Sequence, residues 1–339
     1  MNISILASIW CQNLWDELIL KNEVQLLRER YGENTKFRVF SYDVLNPFLK
    51  DGNIEYREYF PVGSKNPKNT LRNIKNFSSF IGTIFWSNLV VVWGGGIFYE
   101  KEIQLTRSPL DLWVFRMKWI RFFRKKVLFF AVGIDVSSEI GLKKIQKIFL
   151  GKKMEVTVRD RESSCVLQEV GIKSEIVQDP VFHDNPTSLK KGKILGAFAS
   201  GDFNLKDIEK YSFIWKKVWI ALRKWYIGKS KNEKLEFLMI EELLKMIERK
   251  WGNIVLLPHS FHSSDIKAND YFFLKQFETS TRVLENTLAD VYDVYTNKEI
   301  DLCIAMRLHS IILSHVYGVD TIALSYSQKT DETIKKLLR

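Results

Sequence analysis

Residues Asp301 to Ser325 read DLCIAMRLHSIILSHVYGVDTIALS. An apolar strand, Leu302 to Ala305, runs into Arg307 and His309. A helix follows over Ile311 to Tyr317, Gly318 stops it, and a second strand covers Thr321 to Leu324. The hydrophobic period passes from strand to helix and back, which predicts a strand–helix–strand unit of a parallel sheet. Its crossover helix opens with a cation and an imidazole, where free backbone N–H groups and the positive helix end favour an anion. Taken alone, Arg307 reads equally well as a surface cation and His309 as a capping side chain.

The same alternation extends toward the N-terminus. Asn2 to Ile9, Lys36 to Tyr42, Asn88 to Trp93, Val127 to Val132, Met154 to Val158 and the short Ile176-Val177 read as strands. Helices are expected over Asn13 to Arg30, Leu71 to Ser87, Leu110 to Lys126 and Ser137 to Leu150, with another ending at Gly171. Asp51 to Asn69, punctuated by Gly52, Pro61, Gly63 and Pro67, is expected to be loop. Beyond a polar boundary between His183 and Gly192, a second set begins at Lys193 to Ala199. It continues through helices Leu205 to Tyr226 and Glu233 to Lys250, the strand Asn253 to Leu257, and helices Asp265 to Phe277 and Asn286 to Asn297. The expected class is α/β, with two Rossmann-like, doubly wound domains facing a cleft, over residues 1–185 and 186–339.

The strand Asn88 to Trp93 ends in Gly94-Gly95-Gly96, where glycine lets the backbone turn sharply and approach a ligand. The spacing is neither the dinucleotide fingerprint nor a phosphate-binding loop with Gly-Lys-Ser/Thr. No Gly-x-Ser-x-Gly elbow is present. Cys11, Cys165 and Cys303 lie far apart without a histidine cluster, so neither zinc nor a disulfide framework is expected, and a reducing cytoplasmic location fits. Lys+Arg total 51 and Asp+Glu 40, a net charge of +11 that favours an anionic partner. No nucleic-acid-binding motif accompanies that charge. The N-terminus lacks the charged start and long apolar core of a signal peptide.

One segment is unusual: LDLWVFRMKWIRFFRKK, Leu110 to Lys126. Trp113, Phe115, Trp119, Phe122 and Phe123 are interleaved with six cations, a composition suited to an anionic membrane surface. Core packing with a basic outer edge is the competing reading, and the preferred one. Leu205 to Tyr226, with Trp215, Trp219, Trp225 and Tyr226, is a second candidate of the same kind.

In two wound halves, the C-terminal strand ends carry Gly94 to Gly96, Arg159, His259, Arg307, His309 and Lys329. This set is rich in cations and imidazoles and poor in paired carboxylates. It suits a small multivalent anion and does not suit glycoside hydrolysis.

Three blocks carry a resemblance to a known family: Gly94-Gly95-Gly96-Ile97, VTVRDRESSCVLQEVG to QDPVF (Val156 to Phe182), and IAMRLHSIILSHVYGVDTIALSYSQK (Ile304 to Lys329). In order and spacing they resemble the polysaccharide pyruvyl transferases, and NLWDELIL (Asn13 to Leu20) is similar to that family's N-terminal Asn-x-Gly-Asp-Glu segment. The resemblance implies a GT-B-like pair of domains and transfer of a pyruvyl group from phosphoenolpyruvate to a sugar, giving a ketal. It implies a cell-surface polysaccharide unit or its lipid-linked precursor as acceptor, at the cytoplasmic membrane face. By motif position, Arg159, Arg307, His309 and Lys329 correspond to donor-site residues, with Gly94, Gly95 and Gly96 beside them. His309 is the expected proton donor; Asn13, Asp16 and His259 are acceptor-side candidates. The scheme needs neither a metal nor a further cofactor.

Two departures stand out. Trp15 replaces the glycine usual before Asp16, and the strand near Ile194 to Ser200 ends in Ala-Phe-Ala-Ser where relatives often place an arginine. The competing readings are a GT-B-like glycosyltransferase using a nucleotide sugar and a non-catalytic envelope-assembly module.

Overall fold

The protein's structure, a computed structural model, describes residues 1–9, 13–42, 44, 47–60, 69–93, 95–100, 109–184, 191–199, 218–221, 233–252, 254–261, 269–278, 282–284, 287–297, 299–325 and 328–338. The chain divides into two compact units, one formed by Met1–Cys11 with Asp16–Pro180, the other by Gln12–Trp15 with Val181–Arg339. Residues 12–15, assigned from sequence to the N-terminal domain, thus group with the second unit.

The first unit runs β1 (Asn2–Ile9), α1 (Leu14–Tyr31), β2 (Lys36–Ser41), β3 (Ile54–Glu58), α2 (Asn69–Trp86), β4 (Leu89–Trp93) and β5 (Phe98–Tyr99). It continues through α3 (Pro109–Phe122), β6 (Lys126–Val132), β7 (Ile134–Asp135), α4 (Glu139–Phe149), β8 (Met154–Val158), α5 (Arg161–Glu169) and β9 (Glu175–Ile176). Among the described residues, seven strands pair in the order β3-β2-β1-β4-β6-β8-β9, all parallel. The central strand β4, Leu-Val-Val-Val-Trp, is buried throughout, as a strand covered on both faces must be. The winding direction reverses between β1 and β4, the position where open parallel sheets leave a crevice at their C-terminal ends. Gly95 and Gly96 follow β4 there; Gly94 lies outside the described residues.

The second unit contains β10 (Ile194–Ala199), β11 (Val218–Ala221), α6 (Glu233–Trp251), β12 (Ile254–Leu256), α7 (Asp270–Lys275) and β13 (Arg282–Val283). Then come α8 (Leu288–Thr296), β14 (Leu302–Ala305), α9 (Leu308–Val316), β15 (Asp320–Ser325) and α10 (Gln328–Leu337). Its described strands pair in parallel in the order β10-β15-β14-β11-β12-β13. The order reverses between β11 and β14, and β14 delivers Arg307. The α/β class with two Rossmann-like, doubly wound units is therefore the one observed.

Local readings change in three places. Val218–Ala221 is a central strand lying inside the expected helix Leu205 to Tyr226, and Trp219 is buried in it. The β-branched Val-Trp-Ile-Ala run fills the slot between β12 and β14, a tertiary demand that overrides helical periodicity. The remaining residues of that expected helix lie outside the described ones, so Trp219 at least is no interfacial residue. Ile54–Glu58, expected in a loop, forms the edge strand β3, where Glu55 receives Arg38 at 2.8 Å. Helix α9 begins at Leu308 rather than Ile311, which makes Arg307 its N-cap.

Gly192 ties the start of β10 to the end of α9: its N–H donates to the His315 carbonyl at 2.9 Å, and His315 Nδ1 lies 2.8 Å from its oxygen. A Cβ built there would lie 2.1 Å from the Val319 carbonyl oxygen. Backbone cannot retreat as a flexible side chain can. Gly192→Ala is expected to lower stability by about 1–3 kcal/mol. It should appear as a lower urea midpoint with unchanged m-value, whereas Gly52→Ala, with open space around it, leaves the midpoint unmoved.

Candidate active site

In the second unit, β14 is buried along its length and ends against the sheet through Met306 N–H, which donates to Ala221 O at 2.9 Å. The next residue, Arg307, leaves the strand in extended conformation (φ −70, ψ 132) as the N-cap of α9 and has no side-chain cap bond of its own. Its guanidinium turns instead to Asp270: Nη2 donates to Oδ1 and Nε lies against Oδ2. Asp270 is buried in the first turn of α7, whose N-cap Asn269 accepts from Phe272 N–H at 3.1 Å. A buried forked pair of this kind fixes the plane of the guanidinium, and losing one partner typically costs about 3–5 kcal/mol.

His309 follows one residue into α9. Its ring stacks on the indole of Trp15, centroids 3.7 Å apart and planes 13° from parallel. Trp15 is 3% exposed, and its Nε1 is buried without a hydrogen-bond partner. An indole that leaves its donor unmet in this way is held by its faces. Trp15 sits in the first turn of α1, so the position where relatives carry glycine is helical here. Asn13 Oδ1 accepts the Trp15 N–H at 3.2 Å, capping α1, and Asn13 forms an antiparallel bridge with Ser260. Leu14 N–H donates to His259 O at 3.1 Å. Asp16 lies half-buried in the first turn of the same helix.

His259 is buried, not presented to a ligand. Its backbone N–H donates to Asp270 Oδ2 at 3.2 Å, so the carboxylate holding Arg307 also holds this loop. Nδ1 donates to Leu257 O at 3.1 Å and Nε2 accepts from Tyr295 Oη at 2.9 Å. Both ring nitrogens are satisfied by the neutral tautomer. Burial, and then the nearby Arg307 charge, push its pKa down to about 3. Beyond Tyr295 lies Cys303, whose thiol burial pushes up to about 11, leaving it unreactive. Lys329 is the second residue of α10, following β15 at the same sheet edge as Arg307.

In the first unit, Arg159 leaves the C-terminal end of β8 with its side chain 7% exposed, 3.5 Å from Asp179 and 3.7 Å from Asp160. It lies over glycine. A Cβ on Gly133 would sit 2.9 Å from Arg159 Nη2 and 2.9 Å from Gly95 O, the carbonyl that Gly133 N–H meets at 2.9 Å. Just before it, Ala131 adopts φ 48, where the β6–β8 register slips. A left-handed non-glycine residue of this kind marks an irregularity at the strand end, beside the Gly133–Gly95 hydrogen bond.

The sequence located Arg159, Arg307 and His309, but not the groups that hold them. Asp270 had one local signal, an acidic residue after an Asn N-cap at a helix start. Gly133 had the same signal as the triple glycine: a glycine ending a buried strand. Nothing local marks Trp15 as the neighbour of His309.

A family model described as polysaccharide pyruvyl transferase matches residues 16–328. A comparison with curated proteins gave no significant match. Among solved structures, the chain is similar to a UDP-GlcNAc 2-epimerase from Methanocaldococcus jannaschii, with 11% identity and TM-score 0.47, covering 100% of this chain and 93% of that one. It is similar also to a UDP-forming α,α-trehalose-phosphate synthase from Burkholderia vietnamiensis (9% identity, TM-score 0.45, 100% and 92% covered). An E. coli heptosyltransferase with ADP gives 11% identity and TM-score 0.36, with 99% and 98% covered. Identities this low and TM-scores below 0.5 say nothing about donor or acceptor. The family match, by contrast, spans nearly the whole sequence and takes in the strand ends that carry Arg159, Arg307 and His309, so the chain belongs to the polysaccharide pyruvyl transferase family.

Proposed function

We propose that this pyruvyl transferase takes its pyruvyl group from phosphoenolpyruvate and forms a cyclic ketal on a sugar unit of a cell-surface polysaccharide or its lipid-linked precursor. The observation that carries the reading is Arg307, oriented by buried Asp270 at the N-terminus of α9, two residues before the half-buried His309. Phosphoenolpyruvate bears a carboxylate and a phosphate on a three-carbon frame. A fixed guanidinium and the N–H groups of a helix start suit such groups, with Lys329 as a further cation at this sheet edge.

In this scheme His309 gives its proton to the methylene carbon, and C2 becomes electrophilic. A sugar hydroxyl adds at C2, the C2–O bond to phosphate breaks with its electron pair going to phosphate, and a second hydroxyl closes the ring. Of the two hydroxyl protons released, one returns to His309 and one leaves with phosphate. The stack on Trp15 fixes the plane of the imidazole. His259 is a poor acid for this step, being neutral above about pH 3 and bonded at both nitrogens.

With phosphoenolpyruvate and a panel of saccharide acceptors, the assay follows phosphate release and the mass of a pyruvate ketal on the product. His309→Ala is expected to lower kcat by about 100-fold or more, and unchanged turnover would remove His309 from the role. Arg307→Ala should raise KM for phosphoenolpyruvate. Trp15→Leu should lower kcat with KM little changed, while Trp15→Phe, which keeps a ring face, recovers most of it. Arg159→Ala serves the first unit: a raised KM for phosphoenolpyruvate assigns it to the donor, an unchanged KM leaves it as the partner of Asp179. Stabilisation by a nucleoside diphosphate and none by phosphoenolpyruvate would favour a glycosyltransferase instead.

A second expectation concerns pH. Unfolded, His259 takes a proton near its ordinary 6.5; folded, only near 3. The unfolded state therefore binds more protons within that window, and stability falls as pH is lowered through it. Urea midpoints of the wild type should drop between these limits more steeply than those of His259→Gln. Equal slopes would show that the ring is not held neutral.

A further inference from the structure

We infer that α2 and α3 of the first unit form a docking surface for an anionic lipid bilayer. The two helices lie side by side, joined by a seam of rings: Phe77 meets Trp119 at 5.4 Å and Phe115 at 6.2 Å, and Phe85 meets Phe123 at 6.3 Å. From this seam the apolar residues continue into solvent. Along α2, Leu71 is 80% exposed, Ile74 62% and Phe85 72%, a row completed at helical spacing by exposed Ser78 and Gly82. On α3, Phe122 is 72% exposed, with Phe115 partly so about two turns earlier. The inner face of α3 is used elsewhere: Leu110, Trp113, Met117 and Ile120 are buried in the core, and buried Arg116 caps the Phe60 carbonyl at 3.0 Å. Core packing and surface exposure thus divide one helix between them.

Charge indicates what covers the outer face. Helix α2 contains no acidic residue, and Pro109 to Lys126 contains one, Asp111, which pairs with Lys144 at 2.8 Å. Lys75, Lys118, Arg124 and Lys126 are exposed around the apolar row. Two further cations are spent on helix ends: Arg121 donates to Lys147 O and Leu150 O, and Lys125 to Phe85 O and Ser87 O. Exposed phenyl rings flanked by lysine and arginine, with Asp111 and Glu58 each paired to a cation, match the boundary of an anionic membrane. There the rings enter the acyl edge while the cations stay among headgroups. A protein partner of ordinary composition would meet mixed charge, and scattered single apolar side chains would need no partner. Among the described residues no helix is long and apolar enough to cross a membrane, so the contact is one of surface.

The test is sedimentation of the full chain with vesicles of phosphatidylcholine alone or with a third phosphatidylglycerol, independent of any donor. Binding should require the anionic lipid and weaken at least tenfold between about 0.1 and 0.5 M NaCl as screening shortens. Phe85→Ser with Phe122→Ser should weaken it tenfold or more at unchanged charge, and Lys118→Glu with Arg124→Glu likewise. All four side chains are exposed, so an unchanged thermal melt shows that the variants fold. Three results overturn the inference. They are no binding to anionic vesicles, binding indifferent to the two Phe substitutions, or a concentration-dependent dimer abolished by those substitutions, which would assign the face to a second copy of the chain.

Discussion

The pairing of Arg307 with Asp270 is the constraint on which the candidate site of the second unit depends. It joins the end of the central strand β14 to the start of α7. Through the second carboxylate oxygen it also takes in the His259 loop. A buried carboxylate with only one partner would be costly, so each group fixes the others. The consequence for geometry is a guanidinium that cannot swing freely. The consequence for charge is that Asp270 offsets much of its positive potential.

The first unit solves a similar problem with glycine. Arg159 needs room at a crowded strand end, and Gly133 and Gly95 supply it, their backbones close enough to hydrogen-bond. Asp179 and Asp160 sit at 3.5 and 3.7 Å, longer than a strong charge-assisted bond. Arg159 is thus less tightly committed than Arg307. Both arginines stand at C-terminal strand ends of parallel sheets, and Arg307 stands beside the reversal of strand order in its sheet.

Much of this was legible in the chain. The parallel α/β class, the strand before Gly95 and the unit around Arg307 and His309 follow from periodicity, since strands buried on both faces read as continuous apolar runs. Errors fell where packing outranks local preference. Val218–Ala221 sits in a stretch of helical spacing yet fills a vacancy in the sheet, and Ile54–Glu58 is a charged edge strand with an ion pair across to β2. His259 looked like a ligand-facing imidazole because it ends a strand. Its burial among Leu257, Tyr295 and Asp270 makes it a support.

By itself the sequence determined the elements, the two-unit organisation and the cations and imidazole at the strand ends, because hydrophobic period, helix caps and strand-end glycines act within a few residues. Only the tertiary structure decided what those groups do. Asp270 reaches Arg307 from another helix, and Trp15, from the opposite end of the chain, lies flat on His309. Ion pairing in a buried site and ring stacking depend on distance in space, to which distance along the chain gives no guide.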